Sequence, residues 1–169
     1  MKIFETERTI LREVTKDDAE FILDLLNQPS FIRYIGDRNV RTTDEARDYI
    51  ESRFTESYRK FGFGLWAVEL KETNAVIGIC GFVKRDSLPD ADIGFAFLPQ
   101  FFSQGYAFES ANATMNYGRD VLGLKRVLAI TSQDNESSGR LLEKINFRFE
   151  HLVKLPHDTE ELKLFSSDL

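Results

Sequence analysis

The chain of 169 residues carries 22 Lys and Arg against 28 Asp and Glu, a net charge of -6, with 42% hydrophobic residues and 15 Phe. This composition suits one domain over residues 1–169 with a phenylalanine-rich core; it is too apolar for a disordered chain and contains no apolar run near the ~20 residues of a membrane helix. The acidic balance argues against a nucleic-acid partner, while the charge-broken amino terminus, unlike a secretory leader, and the single Cys80 point to the cytoplasm.

Alternation over Thr9 to Val14 predicts a first strand, and Thr15 is placed to cap a first helix over Lys16 to Gln28. After a loop around Ile35 to Arg41, a second helix is expected from Thr42 to Phe61. Thr42 and Glu45 stand at capping-box spacing, and Ala46, Tyr49, Ile50, Phe54, Tyr58 and Phe61 recur with helical period. Three strands beginning at Phe63, Ala75 and Ala91 are joined by polar turns at Lys71–Asn74 and Arg85–Asp90, and read as an antiparallel meander. A third helix after Gly105 carries Ala107, Ala111, Met115 and Val121 near one face, with Gly123 closing it. A strand over Lys125–Thr131, a fourth helix from Asn135 and strands over residues 147–155 and 161–166 complete the chain. The result is an α+β (mixed α/β) order: a mixed sheet of seven strands covered by four helices. The strands at Ala91 and Lys125, linked through a helix, should be parallel neighbours.

The stretch "PQFFSQGYAFES", Pro99–Ser110, lies at the carboxyl end of the first strand of that crossover. It opens the one segment that is not acidic, since residues 99–154 carry 7 Lys and Arg against 6 Asp and Glu. A helix start leaves N–H groups without partners and adds partial positive charge, so it attracts phosphate; Gly105, between the small Ser103 and Ala107, would let a diphosphate approach the main chain. A glycine chosen only for its turn conformation is the alternative. Neither GxxxxGK(S/T) nor GxGxxG is present. His151 and His157 stand apart, so no metal site is expected, and Cys80, inside "VIGICGF" with no His or Asp beside it, reads as a small buried apolar residue.

Taken in order, "TERTILREVTKDD", "AVIGICGF", "ADIGFAFLP", "SQGYAFESANATMNYG" and "NESSGRLLEKINF" resemble the GNAT superfamily of acetyl-CoA-dependent N-acetyltransferases over nearly the whole chain, with the closest likeness to its RimJ/RimL branch. The resemblance implies a mostly antiparallel sheet with a splayed parallel strand pair that receives the pantetheine of coenzyme A against backbone groups near Phe97 and Leu98. It places the diphosphate on Phe102, Ser103, Gln104, Gly105, Tyr106 and Ala107, which match the family's Gln/Arg-x-x-Gly-x-Gly/Ala loop. Phe102 and Ser103 depart from that pattern, and Phe102 is expected to pack under the loop, as the tryptophan often found there does.

The likeness also implies roles for single residues. Asn135 holds the pantetheine arm, caps the fourth helix, or does both. A backbone N–H near Phe97 faces the developing oxyanion. The tyrosine acid of many members falls here on Leu142, whereas a serine acid of the RimL-like branch matches Ser138, whose other reading is a polar residue of the helix start. Asp92 matches an acidic position that draws the amine's proton through water; it could instead bind a cationic substrate or face solvent. Glu109, one turn into the third helix, reads as a dipole-stabilising residue. The implied acceptor is a primary amine, on a protein N-terminus, including that of a ribosomal protein, or on a polyamine, amino sugar or amino acid, and the implied assembly is a monomer or homodimer. A non-catalytic acyl-CoA-binding sensor or interaction module on the same fold is the competing reading, suited by Phe102 and the absent tyrosine.

Overall fold

In the computed structural model of residues 1–169 the alternating segments line up as one sheet of eight strands, in the order β1-β2-β3-β4-β5-β6-β8-β7. The strands are β1 (Lys2–Glu5), β2 (Thr9–Arg12), β3 (Leu65–Leu70), β4 (Val76–Val83), β5 (Asp92–Phe97), β6 (Arg126–Thr131), β7 (Arg148–Val153) and β8 (Leu162–Asp168). Strands β3, β4 and β5 form the expected meander, and β5–β6 is the sheet's parallel pair. The strand absent from the sequence reading is β1, a four-residue edge strand that pairs with β2 through an irregular register between Lys2 and Phe4.

Helices α1 (Ala19–Leu26), α2 (Pro29–Tyr34), α3 (Thr43–Ile50) and α4 (Glu56–Phe61) precede the meander; α5 (Tyr106–Asp120) and α6 (Glu136–Lys144) follow it. The long second helix of the sequence reading is α3 and α4 joined by a π-helical turn over Glu51–Thr55. Thr42 caps α3 as its spacing predicts, accepting from the Glu45 N–H at 3.1 Å. Helix α2, which the sequence pattern does not mark, starts with Pro29 at its first position, where a missing N–H costs nothing.

Strand alternation divides the core between two faces. On one, Trp66, Val68, Phe82, Ile93 and Phe97 meet Ala111 and Met115 of α5 and Leu142 of α6. On the other, Ala67, Ile79 and Leu98 meet Ile22, Leu25, Ile50 and Phe54 from the first helices. Trp66 anchors the first face, edge-on to Phe4, Phe82 and Tyr117 with centroids 5.8, 6.1 and 5.5 Å away. Contacts of this kind add about 0.5–1.5 kcal/mol each beyond burial. Val121, assigned by periodicity to the buried stripe of the third helix, is 64% exposed because the helix ends at Asp120. No helix is long and apolar enough to cross a membrane.

Candidate active site

The crossover parts its two strands almost at once. β5 and β6 share one register pair, Asp92 with Leu128, supported by the Leu128 N–H donating to the Ala91 carbonyl at 2.9 Å. Beyond that point β6 bonds along its whole length to β8, and β5 along its whole length to β4. In an antiparallel ladder alternate residues turn their N–H and C=O toward the same neighbour. Because the Leu98 N–H donates to the Ile77 carbonyl at 2.9 Å, Leu98, Ala96 and Gly94 face β4, and Phe95 and Phe97 turn their polar groups toward the parted edge. Phe97 therefore presents open main-chain groups there. Leu98 does not: its N–H is held by Ile77 and its carbonyl accepts from the Phe101 N–H at 3.0 Å.

The loop after β5 begins with a single 3-10 turn at Pro99–Phe101. That turn decides which phenylalanine is inward. Phe101 packs against both core clusters and lies edge-on to Tyr106 with centroids 6.3 Å apart, whereas Phe102 is 47% exposed. The packing role expected of Phe102 belongs to Phe101. Ser103 then adopts φ +61° and Gly105 φ +85°. A left-handed conformation costs a non-glycine residue about 1–2 kcal/mol, so the residue that departs from the family's glycine does so at a strained position. Ser103→Gly should stabilise the chain by about 1 kcal/mol and raise Tm by roughly 2–4 °C, read by calorimetry.

Gly105 is the N-cap of α5 and offers no side-chain acceptor. The first intrahelical bond with that cap as acceptor is made by Glu109, to the Gly105 carbonyl at 3.0 Å, so the N–H groups of Tyr106, Ala107 and Phe108 precede the helix ladder. α6 is different. The Asn135 Oδ1 accepts from the Ser138 N–H at 3.2 Å, which realises the cap reading of Asn135 and leaves its amide nitrogen free of that bond. Ser138 is half-buried one turn before Leu142; Leu142 is buried in the main core, so this face of α6 carries a hydroxyl where the helix begins and none at the tyrosine position.

Asp92 is 1% exposed and does not face solvent. Arg85, on the loop before β5, donates from Nε to Asp92 Oδ1 at 3.0 Å. Burial pushes the carboxyl up to about 6, with Arg85 pulling the other way. A carboxyl whose pKa is higher in the folded chain than in the unfolded one binds protons preferentially when folded. Its contribution to stability is full below about pH 4 and is lost as pH rises through about 6. Asp92→Asn should thus remove a decline on the order of 2–3 kcal/mol between pH 4 and 7, seen as a flatter difference in Tm across that range.

The sequence reading missed Arg8. It reaches α5 from the turn before β2, donating from Nε to Glu109 Oε1 at 2.8 Å and from Nη1 to the Gln104 carbonyl at 3.0 Å. Glu109 also accepts from the Thr6 hydroxyl and from the Arg8 main-chain N–H. These bonds hold its carboxyl below the ordinary carboxylate range against the opposing effect of burial. No group of three or more His, Cys, Asp or Glu side chains is placed to hold a metal, and Cys80 is buried with its thiol 3.4 Å from the Thr114 hydroxyl.

An uncapped fifteen-residue helix start beside a parted strand edge fits the diphosphate and the amide-bearing arm of coenzyme A. Comparison with known proteins identifies the family. An uncharacterised N-acetyltransferase of Bacillus subtilis, YoaA, is 33% identical over 93% of each chain. A GNAT-family acetyltransferase structure from Bacillus anthracis superposes with a TM-score of 0.81 at 27% identity, covering 99% of this chain and 98% of that one. The structure of RimL, a ribosomal L7/L12 alpha-N-protein acetyltransferase in complex with coenzyme A, shares the fold with a TM-score of 0.85 over 100% of this chain and 98% of its own at 16% identity. The family model described as the acetyltransferase (GNAT) domain matches residues 8–148, and the chain belongs to that family of acetyltransferases.

Proposed function

We propose that residues 1–169 work as one N-acetyltransferase unit of the RimJ/RimL kind, moving an acetyl group from acetyl-CoA to a primary amine on a protein N-terminus or a small cationic molecule. The observation that carries this reading is the pairing of an uncapped α5 N-terminus with the open β5 edge at Phe97. When bound, acetyl-CoA supplies the thioester that the amine attacks. The main chain from Ser103 to Ala107 holds the diphosphate, the Phe102 N–H being already donated to the Pro99 carbonyl at 3.1 Å, and the free amide nitrogen of Asn135 holds the pantetheine arm. The Phe97 N–H polarises the thioester carbonyl, since a fixed dipole aimed at developing charge needs no reorganisation. Asp92 lies at the other end of β5 from Phe97, about 16 Å away, so it receives the amine's proton through a chain of waters, a task that suits a carboxyl near 6, because kcat/KM then rises with pH through that value. Ser138 gives a proton to the departing thiolate. The charge of -6 favours a cationic acceptor through steering.

The test is release of free thiol from acetyl-CoA in the presence of an amine panel that includes short peptides with free N-termini and polyamines, with mass spectrometry of the products. We expect release that depends on one class of amine. If CoA binds yet no amine provokes release, a non-catalytic sensor is the better reading.

A further inference from the structure

We propose that Arg8 is a positioning residue for the nucleotide loop: from the far end of the sheet it fixes the main chain at Gln104–Tyr106 so that the loop's N–H groups face the diphosphate. This rests on the acetyl-CoA reading above. Arg8 contacts Gln104 and Tyr106, on either side of Gly105. Nη1 donates to the Gln104 carbonyl at 3.0 Å, and the guanidinium lies over the Tyr106 ring, 4.2 Å from its centroid. A Cβ placed on Gly105 would sit 3.2 Å from Nη2.

Peptide planarity turns the first of these contacts into an orientation. In a trans peptide the C=O and the following N–H point in opposite directions. Holding the Gln104 carbonyl toward Arg8 therefore aims the Gly105 N–H away from Arg8. Gln104 itself lies between two left-handed residues, Ser103 and Gly105, and nothing else among the side chains bonds its carbonyl.

The same arginine settles a charge conflict. Glu109 lies in the first turn of α5, where its carboxylate would repel a bound diphosphate. The Arg8 Nε at 2.8 Å and main-chain N–H at 3.0 Å, together with the Thr6 hydroxyl at 2.5 Å, draw that carboxylate toward the β1–β2 turn and balance it. The pair is open to solvent on the Arg8 side, where its Coulomb energy is screened, and it joins the loop to the β1–β2 turn, so its consequence for function is preorganisation of the loop.

The test compares acetyl-CoA with S-acetylpantetheine, which carries the same thioester and no diphosphate. For Arg8→Met the KM for acetyl-CoA should rise about tenfold while kcat stays within about twofold and KM for S-acetylpantetheine does not move. Arg8→Lys keeps the charge and the stem but loses the planar fork, and should show the same split. Circular dichroism and Tm monitor the fold; should Arg8→Met not fold, Arg8→Lys alone decides. An equal rise in both KM values, or wild-type KM in Arg8→Lys, overturns the proposal. A wild-type enzyme that uses both donors with the same KM overturns instead the placement of the diphosphate, so the two failures are distinguishable.

Discussion

Gly105→Val is expected to raise the dissociation constant for CoA by at least about thirtyfold while the rest of the fold is retained. Gly105 holds φ +85°, a conformation that costs an L-residue about 1–2 kcal/mol and a β-branched one more. A valine would let the loop relax out of this conformation in the free protein, and binding would have to restore it, which alone weakens affinity by roughly five- to thirtyfold. The side chain adds a second effect. Its Cβ would stand 3.2 Å from the Arg8 Nη2, so the guanidinium must give by a few tenths of an ångström, which disturbs the Nη1 bond that orients the Gln104–Gly105 peptide. Calorimetric titration with CoA reads the loss, and thermal melting reads the fold. Gly105→Ala carries the strain and the Cβ but no branching, and should fall between wild type and valine. Wild-type affinity in the valine variant would place the nucleotide elsewhere and withdraw the loop as its site.

Much of this site was legible because its parts follow local rules. The meander, the crossover and the start of α5 are written in period and turn chemistry, which act within a few residues, and so is the Asn135 cap three residues before the N–H it accepts. What escaped depends on register or on distant contacts. Two adjacent phenylalanines follow Gln100, and only the 3-10 turn at Pro99–Phe101 decides that Phe101 faces the core and Phe102 faces outward. Leu98 and Phe97 are equally apolar, yet the ladder to β4 engages the N–H of one and leaves that of the other on the open edge. Arg8 and Glu109 lie 101 positions apart and meet because β2 and the first turn of α5 lie close together in the folded chain. β1 is too short for alternation to reveal, and α2 is marked only by Pro29 at its start.

Ser138→Ala should lower kcat by at least about a hundredfold while leaving the affinity for acetyl-CoA within about twofold, because proton transfer by a placed side chain contributes roughly 10²–10⁴ in rate. The residue is suited to act at the leaving group and not in binding. Its N–H is engaged by the Asn135 Oδ1, which fixes it on the first turn of α6, while its hydroxyl makes no hydrogen bond within the chain and is half-buried. No other hydroxyl on this face can replace it, since Leu142, one turn on, is buried in the core. Two comparisons separate chemistry from helix capping. Ser137→Ala removes the neighbouring exposed hydroxyl, which points about 100° away around the helix, and should leave kcat unchanged. Ser138→Thr keeps a hydroxyl and the cap and should recover most of the rate. Because the cap bond uses the main-chain N–H, the alanine variant retains it, so its thermal stability should stay close to that of wild type. Unchanged turnover in Ser138→Ala would exclude the serine as the acid and assign protonation of the thiolate to solvent admitted along the parted strand edge.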